Sequence, residues 1–367
     1  MASLEEISAK SRLAEEHEGI TFDELRLASR NHAVPQEALR SDVTPAGLHY
    51  QLTHYDIPYV DPADCRLTLD GLVTRPLTFD LAALRALPRH TVRVTMECAG
   101  NGRAALSPRP ISQPWLNGAV GTADWTGVRL ADLLADADPT AENGYVVFTG
   151  LDHGIERGVE QDYQRGLPME EAAADDVLIA HEMNGAPLPP QHGFPARLVV
   201  PGWYGMTSVK WLAGISVQAE RFEGFQHHAY RLRQSPDDVG VELTRIEPRA
   251  LLVPPGFPDF ITRTRVLRPG RVELEGRAWS GWGRVARVEI STDGGATWAD
   301  ATLEEGGLRR WAWKRFTWEW DAQPGEHSLR VRAHDETGRV QAIDPTWNRG
   351  GFANNADQPL PCLVLDD

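Results

Sequence analysis

From residue 271 to residue 338 the chain alternates apolar and polar positions with a period of two, in RVELEGRAW, VARVEISTDGGATWADATL, WAWKRFTWEW and EHSLRVRAHDETG. Successive side chains of an extended strand point to opposite faces, so this period predicts half-buried β-strands. Asp293-Gly294-Gly295 lies between two such runs and offers the residues that a tight hairpin turn demands. Strands at this spacing without intervening helices predict an all-β immunoglobulin-like sandwich. Trp311, Trp313, Trp318 and Trp320 are expected to pack between or beside its sheets. The proline-rich PPGFPDF (254–260) marks the change of texture, and the domain is set at residues 246–367.

Upstream the pattern is mixed. RLTLDGL, TVRVTMEC, GYVVFTG and ARLVVPG read as short strands, and LAALRAL (81–87) and RLADLLADA (129–137) as helices. Proline and glycine are spread through the loops between them, which suits an irregular α+β domain better than regular βαβ repetition. This domain is placed at residues 46–245. Residues 1–45 read as an N-terminal arm with one amphipathic helical stretch.

Length and charge narrow the function. A chain of 367 residues is long enough for two or three domains. A net charge of −15 argues against general binding to nucleic acid or a membrane surface, and an anionic substrate would need a local basic pocket. Cysteines 65, 98 and 362 are odd in number and far apart, which predicts no disulfide framework and a reducing compartment. The N-terminal MASLEEISAKSRLAEEHEGI has no basic or apolar segment of an export signal, so a cytoplasmic location is expected. No C-x-x-C-H occurs, so no c-type haem is expected on this chain.

The chemistry centres on TMECAGNGR (95–103). Its letters also spell G-x-G-x-x-A, but a dinucleotide loop needs a helix directly afterwards, and prolines 108, 110 and 114 forbid one. HEMNG (181–185) begins like a zinc-protease motif but carries Gly185 in place of the second histidine, leaving His181 as a polar loop residue. Cys98 taken alone is a small buried hydrophobe. With Arg103 five residues on and backbone N–H groups exposed at Gly100 and Gly102, a thiolate is favoured. No histidine and asparagine are arranged around it as in a protease, so ligation of a soft, redox-active metal is the expected chemistry.

ECAGNGR, HGFPARLVVPG (192–202), VKWL (209–212) and WNRGGFANNA (347–356) together resemble the sulfite oxidase family of molybdopterin enzymes, in the family's order over residues 44–360. The resemblance implies a mixed α/β molybdopterin-binding domain followed by an immunoglobulin-like dimerisation domain. It implies Mo-molybdopterin as cofactor, with Cys98 as the protein ligand to molybdenum. It carries cofactor contacts onto His54, Asp152, His192, Arg197, Ser208 and Lys210. Substrate contacts fall on Arg103, Trp115 and Tyr230, and on Arg349, which lies one place off the family's W-N-x-R-G arginine.

One departure stands out. The family's R-N-H stretch upstream of the cysteine resembles SRNHAVP (29–35), but the framing of TPAGLHYQLTHYDIPYVDPADCRLTLDG (44–71) puts His54 at the matching distance. In that register the substrate arginine becomes Leu52 and the asparagine Thr53. The implied activity is oxidation of sulfite to sulfate by oxygen-atom transfer, with electrons passed to an external acceptor such as a cytochrome, by a homodimer. Two alternatives stay open: reduction of an S-oxide or N-oxide in a pocket made less cationic by Leu52, and a non-catalytic binding scaffold.

Overall fold

A computed structural model describes residues 3–9, 11–141, 143–304 and 309–366. The first domain contains two five-stranded sheets. One runs in the order Leu77–Phe79, Leu67–Gly71, Leu212–Gln218, Tyr145–Glu156, Val159–Pro168, with Leu67–Gly71 parallel to Leu212–Gln218 and the other pairs antiparallel. The other pairs His90–Glu97, Val120–Arg129, Leu178–Met183 and Ala186–Pro187, with Arg197–Val199 branching from Leu178–Met183. The helix Leu81–Ala86 starts at Asp80, whose carboxylate accepts from the Ala83 amide at 2.7 Å, satisfying an otherwise orphaned donor. In the helix Leu130–Ala137, Leu130, Leu133, Leu134 and Ala137 fall on one buried stripe against Val146, Phe148 and Ile215.

The second domain is a sandwich. A four-stranded sheet (Arg249–Leu252, Gly270–Trp279, Lys314–Ala322, Thr302–Leu303) faces a six-stranded one that includes Val285–Ser291, Gly325–Asp335 and Leu360–Val364. Leu274, Ala278 and Phe316 from one sheet meet Val288, Ile290 and Val331 from the other, as the period of two predicts. Gly294 and Gly295 take φ of +73° and +97° in the expected turn. Trp320 is buried in this sandwich and Trp318 packs against it. Trp311 and Trp313 differ from expectation, because they pack toward the first domain. The Thr95 amide donates to the Trp311 carbonyl at 2.8 Å, and Thr95 Oγ1 accepts from the Trp313 amide at 2.7 Å.

A buried ion pair also joins the domains. Glu97, next to Cys98, lies 2.9 Å from Arg249 Nε, and both side chains are 2% exposed. Glu97 accepts in addition from Trp279 Nε1 at 2.7 Å and from Asn101 Nδ2 at 2.9 Å. The turn that carries Cys98 is therefore anchored from the sandwich side.

The N-terminal arm is more structured than its sequence suggests. It contains two helices, Leu4–Ala9 and Phe22–Ala28, the second opened by a reciprocal Thr21–Glu24 capping box. Glu24 is fully buried and pairs with Arg109 at 2.8 Å. Asn31 donates to Gln113 Oε1 at 3.0 Å and accepts from the Thr53 amide at 2.8 Å, which seats SRNHAVP beside Leu52 and Thr53. Among the described residues no helix is long and apolar enough to cross a membrane.

Candidate active site

Cys98 follows the last residue of the strand His90–Glu97 and bonds through its amide to the Ala119 carbonyl at 2.9 Å. The chain then turns back within a few residues. Asn101 Oδ1 accepts from the Ala119 amide at 3.0 Å, and the Gly102 and Ala104 amides donate to the carbonyls of Leu116 and Trp115. A three-residue 3₁₀ turn, Arg103–Ala105, follows in place of a helix, in keeping with the prolines. Gly102 adopts φ of +87°, and a Cβ there would lie 2.9 Å from the Asn354 carbonyl oxygen, so the second domain's C-terminal loop closes over the turn. Most of the turn's amides are spent on these bonds. The Gly100 N–H faces Cys98 and, with Arg103 and Trp115, pulls the thiol's pKa down. Burial outweighs them and pushes it up. The free thiolate expected from local sequence is thus corrected: burial favours the neutral thiol.

Cys98 lies where two cavities meet. The first is lined by His49, Tyr50, Met96, His192, Arg197, Ser208, Lys210 and Asp152. Arg197 is buried and spans from the His192 carbonyl to the Ser208 carbonyl, both at 3.0 Å, with its guanidinium 4.7 Å over the Trp125 ring. Lys210 Nζ donates to the carbonyls of Leu52 at 2.8 Å and Gln191 at 3.2 Å. Ser208 Oγ accepts from the Val200 amide at 3.1 Å. Burial lowers Arg197 to about 10 and His192 to about 2, pushes Lys210 down and raises Asp152. Each shift disfavours charge, because solvent has been removed, and the mutual attraction of Asp152 and Lys210 offsets this only in part.

The second cavity, of about 260 Å³, is lined by Cys98, Arg103, Trp115, Tyr230, Phe352 and the hairpin residues Ile155 to Arg157. Leu52, His54, Cys98 and Tyr230 line both cavities. His54 Nε2 and the Tyr230 hydroxyl share a hydrogen bond at 2.8 Å, and burial holds His54 near 4, so its ring is neutral. Arg103 is 5% exposed; its Nε donates to the Gly350 carbonyl at 3.0 Å and its guanidinium lies 5.0 Å over the Phe352 ring. It is packed against Gly100, where a Cβ would come 2.7 Å from the guanidinium carbon. Among the described residues Arg103, Arg197 and Lys210 form no ion pair with a carboxylate. Buried cations outside any close ion pair, with Asp152 as the acid facing Lys210, suit an anion site.

The structure therefore brings together ten of the eleven residues singled out from the sequence. Arg349 is the exception: it does not line either cavity, and its Nη2 donates to the Ser11 carbonyl at 2.9 Å. Several neighbours were missed. His49 is buried, stands edge-on to His192 at 5.3 Å between centroids, and sits against Gly121, where a Cβ would meet its ring at 2.6 Å. Tyr50, Met96, Tyr163, Arg157 and Phe352 were also missed, and only the doubled histidines of LHYQLTHY could have pointed to His49. His181 is corrected from loop to strand: it is 1% exposed within Leu178–Met183.

The description "Oxidoreductase molybdopterin binding domain" matches residues 54–226, and "Mo-co oxidoreductase dimerisation domain" matches residues 251–357. The sulfite oxidase of Arabidopsis thaliana is 32% identical, over 89% of this chain and 90% of its own length. The chain belongs to the sulfite oxidase family of molybdopterin-dependent oxidoreductases. The mitochondrial sulfite oxidase of Mus musculus is 35% identical over 89% of this chain, which spans 62% of that protein's length. The structure of the sulfane dehydrogenase SoxCD from Paracoccus pantotrophus superposes with a TM-score of 0.78 at 28% identity, covering 98% of this chain and 89% of that one.

The family's cofactor is molybdopterin carrying molybdenum, and the residues present fit it. His49 Nε2 and Asp152 Oδ1 are buried without hydrogen-bond partners, both in the cavity beside Cys98. Orphaned donors and acceptors are what a polar pterin and its phosphate would satisfy. Among the described residues no three His, Cys, Asp or Glu groups converge to hold a metal.

Proposed function

We propose that this molybdenum-dependent oxidoreductase oxidises sulfite to sulfate, with Cys98 as the single protein ligand to the metal. The observation that carries this reading is the position of Cys98 between a polar cavity and one lined by an unpaired arginine. When bound, the cofactor supplies oxygen-atom transfer and two-electron redox chemistry. Arg197 and Lys210 would take the cofactor's phosphate, and His54, Asp152, His192 and Ser208, with His49, its polar edges. Arg103 would hold the substrate oxyanion and stabilise charge as it redistributes. Trp115 would wall the substrate in, and Tyr230, oriented by neutral His54, would donate a hydrogen bond to it. Arg349 would add positive potential from behind the cavity wall.

Electrons would leave to an external acceptor such as a cytochrome, and the second domain would pair two copies into a homodimer. Three free, buried cysteines fit a reducing cytoplasm. Reduction of an S-oxide is the second reading, favoured by the uncharged Leu52 at the junction of the cavities.

Dye-linked assays with sulfite and with a sulfoxide on molybdenum-loaded protein separate the two readings. Arg103→Gln is expected to raise KM for sulfite at least tenfold, because a charge-assisted hydrogen bond contributes about 1.5–3 kcal/mol. An unchanged KM would remove Arg103 from substrate binding. Gly100→Ala is expected to displace the Arg103 guanidinium, raising KM by about tenfold on the same basis while the thermal midpoint moves little. A large loss of stability with normal KM would show that the backbone yields instead.

A further inference from the structure

The hairpin joining Tyr145–Glu156 to Val159–Pro168 turns at Arg157 and Gly158, with φ of +51° and +81°. Two left-handed residues in succession make a tight hairpin turn in which asparagine, aspartate or glycine is the usual first residue. An arginine there departs from the local preference, and Arg157 is among the residues lining the cavity that holds Cys98, Arg103 and Tyr230. Leu52, at the position where the family carries its upstream substrate arginine, lines the same cavity.

The arm fixes this guanidinium. Arg157 Nη1 donates to the carbonyls of Ile7 and Ser8, and Nη2 to Ser11 Oγ at 3.4 Å. Ser11 accepts at its carbonyl from Arg349 Nη2 at 2.9 Å, so one arm residue holds two arginines side by side. These contacts leave the Arg157 Nε–H and one Nη2–H without a protein partner among the described residues. Arg157 forms no ion pair there, and it is repelled by Arg349 while also opposing the charge on Arg103. The neighbouring Glu156 carboxylate forms no ion pair with Arg157 and accepts from Gln226 Nε2 at 3.1 Å, though its charge offsets part of that on Arg157. With Arg103 and Arg157 on one cavity and Glu156 the carboxylate beside them, a bound anion would relieve the remaining repulsion.

We propose that Arg157 supplies the substrate-binding guanidinium that Leu52 lacks, reaching the sulfur oxyanion from the hairpin side while Ile7, Ser8 and Ser11 hold it in place. This rests on the oxidation of sulfite proposed above. Arg157 is then a specificity-determining residue in a place where the upstream motif gives no sign of one.

The test uses the full chain loaded with cofactor, as the parent, Arg157→Gln, Arg157→Lys, and Arg157→Gln combined with Leu52→Arg. Two quantities are read: KM and kcat for sulfite, and Kd for sulfate by titration calorimetry. Arg157→Gln is expected to raise both KM and Kd by roughly tenfold or more while kcat stays within about threefold, with Arg157→Lys intermediate and Leu52→Arg restoring much of the loss. Values of KM and Kd within twofold of the parent would overturn the assignment of Arg157 alone. A fall in molybdenum content and kcat with unchanged sulfate affinity would also overturn it, since that marks a structural role. A parent that neither oxidises sulfite nor binds sulfate would overturn the functional reading and this one with it.

Discussion

Cys98→Ser is expected to lower dye-linked sulfite oxidation by at least a thousandfold while leaving the fold intact. Cys98 is 7% exposed and the hydroxyl is smaller than the thiol, so packing around Met96, Trp115 and Ala119 changes little. What changes is the ligand. On the proposed ligation a hard oxygen donor would replace a soft thiolate, a poorer match to the redox-active metal. The other contacts of the first cavity, Arg197 and Lys210 among them, remain, so pterin should be retained at near parent levels. Circular dichroism, bound pterin and turnover measured on one preparation check the three parts together. Activity within tenfold of the parent would mean that Cys98 is not the metal's ligand.

Glu97→Gln is expected to have the largest effect on stability. It leaves the Arg249 guanidinium, 2% exposed, without its carboxylate in the interior between the two domains. Removing one partner of a buried pair costs about 3–5 kcal/mol, because the remaining charge is stranded. At roughly 2–4 °C per kcal/mol for domains of this size, the thermal midpoint should fall by ~6–20 °C. The damage should reach the site, since Glu97 also holds Asn101 and so the turn after Cys98. Glu97→Gln with Arg249→Met should recover much of the midpoint, because the stranded charge is gone. A fall below ~1 kcal/mol in the single variant would show that the domains are held together without this pair.

The sandwich was readable because its signal is local. Alternation in RVELEGRAW and EHSLRVRAHDETG, and the glycines after Asp293, fix strands and turn within a few residues of each other. Trp311 and Trp313 followed the same alternation but pack across the domain interface, which no period along one strand encodes. In the site, Cys98 and Arg103 are five residues apart on one turn and could be paired from sequence. The thiol's titration could not, since it depends on burial supplied by distant segments. Arg157 escaped notice for the same reason. It enters the cavity from a hairpin more than fifty residues downstream of Cys98, and its arm contacts lie near residue 8. Arg349 shows the converse: near-alignment with a motif placed it one residue off, and the side chain ends behind the wall.

The claim on which the account rests is that Cys98 binds molybdenum at the junction of the two cavities. X-ray absorption at the molybdenum edge, on the purified parent and on Cys98→Ser, tests it directly. The account predicts bound molybdenum in both proteins, with one sulfur neighbour fewer in the variant. The same number of sulfur neighbours in both proteins, or no molybdenum in a parent that oxidises sulfite, would contradict it.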